Sequence, residues 1–248
     1  RKTYIRCLFH KELNHPIFQI VSEESQKLGF QTFVVGGFVR DIFLKRTSKD
    51  VDFVTVGSGI ALATAVRNRL KKAHLSIFKN FGTAQLKTDD WEFEFVGARK
   101  ESYDRNSRKP KVEDGTFEDD IYRRDFTINA LAISLNAPKY GELIDLFGGV
   151  EDLKKCLIRT PLDPKITFSD DPLRMMRAAR FATQLNFTLV PETLEALKTE
   201  AHRLSIISQE RITDELQKII KSAKPSIGFT LLFDTKLLHL FFPEMIRL

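Results

Sequence analysis

The spacing of apolar and polar residues changes along the chain, and each change predicts a different element. Apolar residues that recur every three or four positions predict helices over Pro16–Leu28, which Gly29 ends, and over Ser58–Leu70. Short β-branched, aromatic or alternating runs predict strands at Phe33–Val35, Asp50–Val56, Leu75–Phe78, Thr83–Lys87 and Trp91–Val96. We therefore expect an α+β fold with a mixed β-sheet in the first part of the chain.

Helical periodicity dominates the second part of the chain. After a turn at Gly148–Gly149 and a short helix around Val150–Lys154, further helical patterns cover Pro191–Leu204, Gln209–Lys221 and Pro225–Leu240. The change of pattern predicts two domains, an α+β domain at 1–155 and an all-helical domain at 156–248.

Composition narrows the functional classes only modestly. The 248 residues carry a formal net charge of +6, which favours an acidic partner such as nucleic acid but is also common on an ordinary solvated surface. Cys7 and Cys156 have no metal-ligand spacing, and two cysteines form no disulfide framework, so a reducing cytoplasm is favoured over secretion. No apolar run has the length of a membrane span. Because the chain starts at Arg1 and stops soon after Phe241–Phe242, we expect it to be a fragment.

A glycine pair follows the first predicted strand. Gly36 and Gly37 allow a sharp turn and a close approach to a ligand, because neither residue carries a Cβ atom. A helix that opens directly after this turn would point its unpaired N–H groups at the turn, and Arg40 would add a charged fork for phosphate. A Gly-Gly pair alone is more often an ordinary turn, so this phosphate site is a hypothesis.

Two aspartates lie on the strand that follows. Residues two apart on a strand face the same side, so Asp50 and Asp52 converge. Two close carboxylates repel unless cations lie between them, which predicts Mg²⁺ and a two-metal phosphoryl or nucleotidyl transfer site. The alternative is a solvated edge strand. Glu94 is either a surface residue of a strand or a third carboxylate that activates an attacking hydroxyl.

The next cluster is Arg123–Arg124–Asp125, directly before an apolar segment. Two adjacent arginines at the edge of a core could hold phosphate or ribose, although an internal ion pair is the alternative. The preceding segment, Arg99–Asp114, is rich in Lys and Arg and contains Pro110, which predicts a flexible basic loop.

A row of charges follows Ser169–Asp170. We expect one of these two residues to cap a helix with Pro172 in its first turn, which places Asp171, Arg174, Arg177 and Arg180 in one row on that helix. Apolar residues surround the row, so the helix should be buried. An aspartate and an arginine together match the edge of C or A, in which an amine donor lies beside a ring acceptor. An exposed ladder of ion pairs is the alternative.

Together these segments resemble the class II family of tRNA nucleotidyltransferases and bacterial poly(A) polymerases. The similarity rests on Gly36–Asp41 followed by Asp50–Asp52, on Asp119–Ala132, and on Ser169–Phe181. The resemblance implies a polymerase-β-like nucleotidyltransferase head and a helical neck, with the body and tail domains of relatives absent here. It also implies that nucleotides from CTP and ATP are added to the 3′ acceptor end of tRNA with two Mg²⁺ ions.

The resemblance also implies roles for individual residues. Asp50 and Asp52 would bind the metals, Arg40 and Arg124 the triphosphate with help from Arg123 and the turn amides, and Asp125 would orient the arginines or the sugar. Further along, Asp171 and Arg174 would select the base, while Arg177 and Arg180 steady the helix or the phosphates. One departure is Asp170, where the family usually has glutamate.

Several alternatives remain open at this point. A poly(A) polymerase shares the same segments, but Ile77–Gly82 does not match the basic and aromatic segment that such enzymes usually carry. Enzymes that add only CC or only A are also possible. The loop that contains Asp104 and Arg108 looks full length, and in this family it helps the pocket to switch from C to A, which argues against a CC-only enzyme. A non-catalytic RNA-binding module is disfavoured because Asp50, Asp52, Arg124, Asp171 and Arg174 are all present.

Overall fold

The computed structural model describes residues 3–103 and 111–247. Its contacts divide the chain into two compact units. The first unit contains the residues up to Ser102, together with Lys111–Arg124 and Ile128–Val150. The second contains Asp125–Thr127 and the residues from Glu151 onward.

The first unit is built on a mixed sheet. Its strands are β1 Thr3–Leu8, β2 Gln31–Val35, β3 Asp50–Val56, β4 His74–Phe78, β5 Thr83–Thr88, β6 Trp91–Gly97, β7 Arg99–Ser102, β8 Lys111–Asp114, β9 Leu131–Ser134 and β10 Glu142–Asp145. Eight of them form one sheet in the order β1-β10-β9-β2-β3-β6-β5-β4. The pairing is antiparallel except between β3 and β6, which run parallel. The expected α+β fold with a mixed sheet is confirmed.

The helices that pack against strands of this unit are α1 Pro16–Leu28, α2 Gly37–Phe43, α3 Gly59–Asn68 and α4 Phe117–Tyr122. A further helix, α5 Gly149–Lys154, begins in the first unit and ends in the second. The first helix has the predicted bounds and ends at Gly29, whose φ of 71° is left-handed. Fully buried aromatic side chains, among them Phe18, Phe53 and Phe95, fill the space beneath the helices.

The segment Arg99–Asp114 differs from the expected flexible loop. Its two ends form the antiparallel hairpin β7–β8, in which Arg99 pairs with Asp114 and Ser102 with Lys111. Opposite charges also meet along this hairpin, as in the ion pair between Arg99 and Glu101. Charged strands of this kind carry no apolar alternation, and for that reason the sequence pattern did not predict them. Asp104 and Arg108, expected to move together, lie outside the described residues.

The second unit is mainly helical. Its helices are α6 Pro164–Asp170, α7 Leu173–Leu185, α8 Pro191–Glu200, α9 Gln209–Ile220, α10 Pro225–Asp234 and α11 Leu238–Phe241, and its two short parallel strands are β11 Leu157–Ile158 and β12 Thr188–Leu189. The helix α7 packs against α9 and α10. Most of its residues are buried, as its apolar surroundings in the sequence predicted. The single helix expected over Pro225–Leu240 is interrupted, since Lys236 has a positive φ.

The helix that carries the arginine row does not begin where the sequence suggested. Ser169 and Asp170 form the last turn of α6, which begins after Asp163, whose side chain accepts a hydrogen bond from the Lys165 amide at 2.9 Å. The residue before a proline avoids the helical conformation, so Asp171 is extended, with φ −132° and ψ 95°. The expected N-cap was therefore wrong, and Asp171 precedes α7 instead of lying on its surface.

Candidate functional site

The acidic residues of the first unit lie on two adjacent strands. In the parallel pair β3–β6, Asp50 is opposite Glu92 and Asp52 is opposite Glu94. The two aspartates therefore face one side, with Glu94 beside Asp52. Glu92, on the same face, forms an ion pair with Lys87 at 2.5 Å.

The clustering of acidic residues goes with raised pKa values of two of them, Asp52 and Glu94. Burial raises the pKa of the Asp52 carboxyl, and Asp50 raises it further, while Arg124 opposes both effects. Partial desolvation also raises the pKa of Glu94, to which the charge of Asp52 contributes. Like charges that lie close together and away from water favour a bound cation or proton.

The glycine turn approaches the same acidic residue. Gly36 has a φ of 75°, and a Cβ atom added to it would lie 3.3 Å from Arg124 Nη1 and 3.7 Å from Asp52 Oδ2. Because Gly36 has no side chain, the space between Arg124 and Asp52 stays open. The neighbouring Arg40 donates to Asn129 Oδ1 at 2.8 Å and forms an ion pair with Asp41.

The arginine pair is held by a residue that the sequence analysis did not identify. Asp120 is fully buried and accepts hydrogen bonds from Arg123 Nη2 at 2.8 Å and from Arg124 Nη2 at 3.1 Å. Both arginines follow Asp120 by three or four positions, and that spacing could have identified it. Arg124 Nε is buried and has no hydrogen-bond partner among the described residues. A buried donor of this kind is suited to an anionic ligand.

The remaining predicted residues lie in the second unit. Arg177 Nε donates to Asp125 Oδ2 at 2.7 Å, and Arg180 pairs with buried Glu215. Arg174 is also buried and donates to the Thr167 carbonyl at 3.1 Å. The carboxylate of Asp171 accepts a hydrogen bond from the Leu173 amide at 3.2 Å, next to Pro172, the N-cap residue of α7. Internal ion pairs therefore account for Arg177 and Arg180 of the charged row. The pairing of Arg180 with Glu215 was not predicted from the sequence.

The predicted residues thus form two groups. One lies in the first unit and contains Gly36, Gly37, Arg40, Asp50, Asp52, Glu94, Arg123 and Arg124. The other lies in the second unit and contains Asp125, Asp171, Arg174, Arg177 and Arg180.

The donor set of the first group suits magnesium in chemical type. Within the described residues, no group of three or more His, Cys, Asp or Glu is arranged to hold a metal ion by itself. Asp50 and Asp52 provide hard oxygen donors on one face, and Mg²⁺ is commonly held by one or two carboxylates together with substrate phosphates. These residues therefore fit an ion that a triphosphate helps to coordinate.

Comparison with known proteins decides the family. A family described as the poly A polymerase head domain matches residues 32–159. The chain belongs to this family. Residues 186–248 match a second family, described as a probable RNA- and SrmB-binding site of polymerase A.

Individual relatives of this head-domain family agree with that assignment. The chain is 43% identical over 194 residues to an A-adding tRNA nucleotidyltransferase of Aquifex aeolicus, covering 77% of this chain and 23% of the relative. It is 36% identical to the CCA-adding enzyme of Bacillus subtilis, covering 95% of this chain and 55% of the relative. The chain thus spans about half the length of that CCA-adding relative.

A solved structure shares the fold. A tRNA nucleotidyltransferase crystallised with a primer tRNA and an incoming ATP analog superimposes with a TM-score of 0.77 and 35% identity, covering 90% of this chain and 62% of that chain. In the parts of this chain that the structure describes, no helix has the length and apolar composition needed to cross a membrane.

Proposed function

We propose that the full-length protein is a template-independent nucleotidyltransferase that adds C and A, from CTP and ATP, to the 3′ end of tRNA. The observation that carries the proposal is that Arg124 Nη1 and Asp52 Oδ2 lie 3.3 and 3.7 Å from the position that a Cβ atom would take at Gly36, in a member of the head-domain family. Residues 1–155 would form the catalytic head, and residues 156–248 the helical neck.

Asp50 and Asp52 would hold two Mg²⁺ ions together with the triphosphate. When bound, the ions would stabilise the attacking and leaving oxygens during in-line displacement of pyrophosphate from the α-phosphate. The raised pKa of Asp52 supports this assignment, because a desolvated carboxylate beside a second one gains most from a cation.

The arginines and the glycine turn would bind the triphosphate. Arg124 has a buried Nε without a partner among the described residues, and the open space at Gly36 leaves room for phosphate oxygens beside it. Arg40 and Arg123 are held by neighbouring polar side chains, so each would present its charge in a fixed direction.

Glu94 would accept the proton of the attacking 3′ hydroxyl at a carboxylate oxygen. A carboxylate with a raised pKa is the better base near neutral pH, and the pKa of Glu94 is raised by partial desolvation and by Asp52. Its place beside Asp52 in the strand register supports this role.

Selection of the base would rest on the second unit. Asp171 would accept from the exocyclic amine of C or A, and Arg174 would donate to the adjacent ring acceptor. Arg177 and Arg180 would steady the helix, because each forms an ion pair, with Asp125 and Glu215 respectively.

A second candidate is an enzyme that adds only the terminal A. The specific observation in its favour is the 43% identity to the A-adding enzyme, against 36% to the CCA-adding enzyme of Bacillus subtilis. The two candidates differ in whether CTP is used.

The test is incorporation of labelled CMP and AMP by the full-length protein into tRNA that lacks its 3′ terminus. We expect Asp52→Asn to lower the rate by about 10³-fold or more while the far-UV circular dichroism spectrum is unchanged. The matched control is Asp89→Asn, an exposed position of the same unit with a φ of 52° that asparagine tolerates. Incorporation by Asp52→Asn at the parental rate would remove the metal assignment.

A further inference from the structure

A chain of ion pairs runs from the hairpin β7–β8 to Arg124 inside the first unit. Arg99 Nε lies 3.0 Å from Glu101 Oε1, and the same oxygen lies 3.3 Å from Arg123 Nη1. Arg123 Nη2 then contacts Asp120 Oδ1 at 2.8 Å, and Asp120 Oδ2 contacts Arg124 at 3.1 Å. Each carboxylate in this chain therefore lies within ion-pair distance of two guanidinium groups, although Arg99 Nε makes no hydrogen bond to a described residue.

Both carboxylates are removed from solvent. The Glu101 side chain is 6% exposed and that of Asp120 is 0% exposed, so neither pair is weakened much by water or salt. By contrast, Glu113 on the partner strand of the hairpin is 56% exposed and pairs with Lys111. Buried pairs of this kind fix the direction of a planar guanidinium group more firmly than surface pairs do.

Ion pairs among the described residues join three arginines to two carboxylates. The charge of the last arginine, Arg124, opposes the rise in the pKa of Asp52. If Glu101 lost its charge, Arg123 would depend more strongly on Asp120, the carboxylate that also holds Arg124. The direction of Arg124 would then be less well defined, although Glu101 itself is not within the group formed by Gly36, Asp52 and Arg124.

We propose that Glu101 is a positioning residue for triphosphate binding and acts on Arg124 through Arg123 and Asp120. The inference rests on the proposed function, in which Arg124 binds the triphosphate. It assigns a role to the hairpin β7–β8, which holds the first carboxylate of the chain. Because the effect reaches the ligand through Arg124, it should depend on the phosphates of the nucleotide and not on its base.

The experiment compares the binding of ATP and AMP to the full-length protein by calorimetry in the presence of Mg²⁺. We expect Glu101→Gln to weaken ATP binding about 5- to 10-fold and AMP binding less than about 2-fold, as for loss of order in one charge-assisted contact. Glu113→Gln, in the same hairpin, should change neither affinity. Equal weakening for ATP and AMP, or no weakening, would overturn the proposal.

Two further variants separate positioning from a general structural effect. Glu101→Asp keeps the charge with a shorter reach, so it should also weaken ATP binding more than AMP binding, but by a smaller factor than Glu101→Gln. This variant tests the proposal even if Glu101→Gln does not fold. The double variant Glu101→Gln with Arg124→Lys should lose less ATP affinity than the product of the two single losses, because both act on one contact. Multiplicative losses would overturn the proposed route.

The outcome for the parental protein distinguishes the two proposals. If the parental protein prefers ATP to AMP and Glu101→Gln keeps that preference in full, the positioning role alone is wrong. If the parental protein binds ATP no more tightly than AMP, then the triphosphate site is wrong, and the proposed function and the role of Glu101 are both contradicted.

Discussion

The buried pair between Arg180 and Glu215 makes a sharp prediction about stability. Their side chains are 10% and 6% exposed, so solvent screens the pair little. Burial lowers the pKa of the Arg180 guanidinium and the charge of Arg177 lowers it further, while Glu215 opposes both effects. Glu215→Gln would leave this cation buried without its counter-charge.

The magnitude follows from the partners that remain. Removal of one member of a buried pair costs about 3–5 kcal/mol of unfolding free energy. Arg180 would still donate to Gln184 at 3.2 Å and lie 4.2 Å from the centre of the Phe181 ring, so we expect a loss at the lower end, about 3 kcal/mol. With urea slopes of about 1–3 kcal/mol per molar, the unfolding midpoint should fall by about 1–3 M.

The assay is urea unfolding of the 248-residue chain with two probes. Circular dichroism at helical wavelengths follows mainly the second unit, whereas fluorescence of Trp91, the only tryptophan, follows the first. Asp214→Asn is the matched control, because Asp214 is the exposed neighbour of Glu215 on the same helix, and we expect it to cost less than about 0.5 kcal/mol. A loss below about 1 kcal/mol for Glu215→Gln would refute the argument that this pair fixes Arg180.

Three further predictions concern the candidate site and its support. Gly36→Ala should cost about 1–2 kcal/mol of stability, because Gly36 has a φ of 75°. It should also weaken ATP binding measured by calorimetry, because the added Cβ would crowd Arg124. Unchanged affinity would contradict a role for the open space at Gly36 in ATP binding. Asp171→Ala should reduce the preference for CTP over UTP in single-nucleotide incorporation more than it slows addition of C, and unchanged discrimination would remove its role. Burial raises the pKa of the Asp120 carboxyl, but the charges of Arg124 and Arg123 outweigh burial, so the net shift of the pKa is downward. The ionised carboxylate therefore stabilises the fold fully above about pH 4, and this stabilisation is lost as the pH falls further. Asp120→Asn should flatten the dependence of urea stability on pH over that range.

The part of the first unit's site that runs from Gly36 to Asp52 could be predicted, because these residues are close in sequence. Alternation along β3 placed Asp50 and Asp52 on one face, and the structure has them there. The glycine turn directly precedes α2, as the pattern suggested. The position of Glu94 beside Asp52 needed the strand register, which a single sequence does not determine.

The errors have local physical causes. Ser169 and Asp170 resemble an N-cap, but α6 begins upstream, with Asp163 as its N-cap and Pro164 as its first residue. Ser169 and Asp170 therefore lie in the last turn of α6. The hairpin β7–β8 was missed because its charged residues show no apolar alternation. Glu215 and Arg180 lie far apart in sequence, so only the packing of α7 against α9 shows that they form a pair.

Ordered nucleotide addition by the full-length protein is the most direct test of the claim that it adds C and A to tRNA. Transfer RNAs that end before CCA, after C and after CC would each be offered CTP, ATP or both, and the products would be resolved at single-nucleotide length. We expect C to be added to the first two, A to be added only after CC, and extension to stop there. Addition of A without any use of CTP would favour the A-adding candidate, and ATP-dependent growth of long tails on unrelated RNA would contradict the claim.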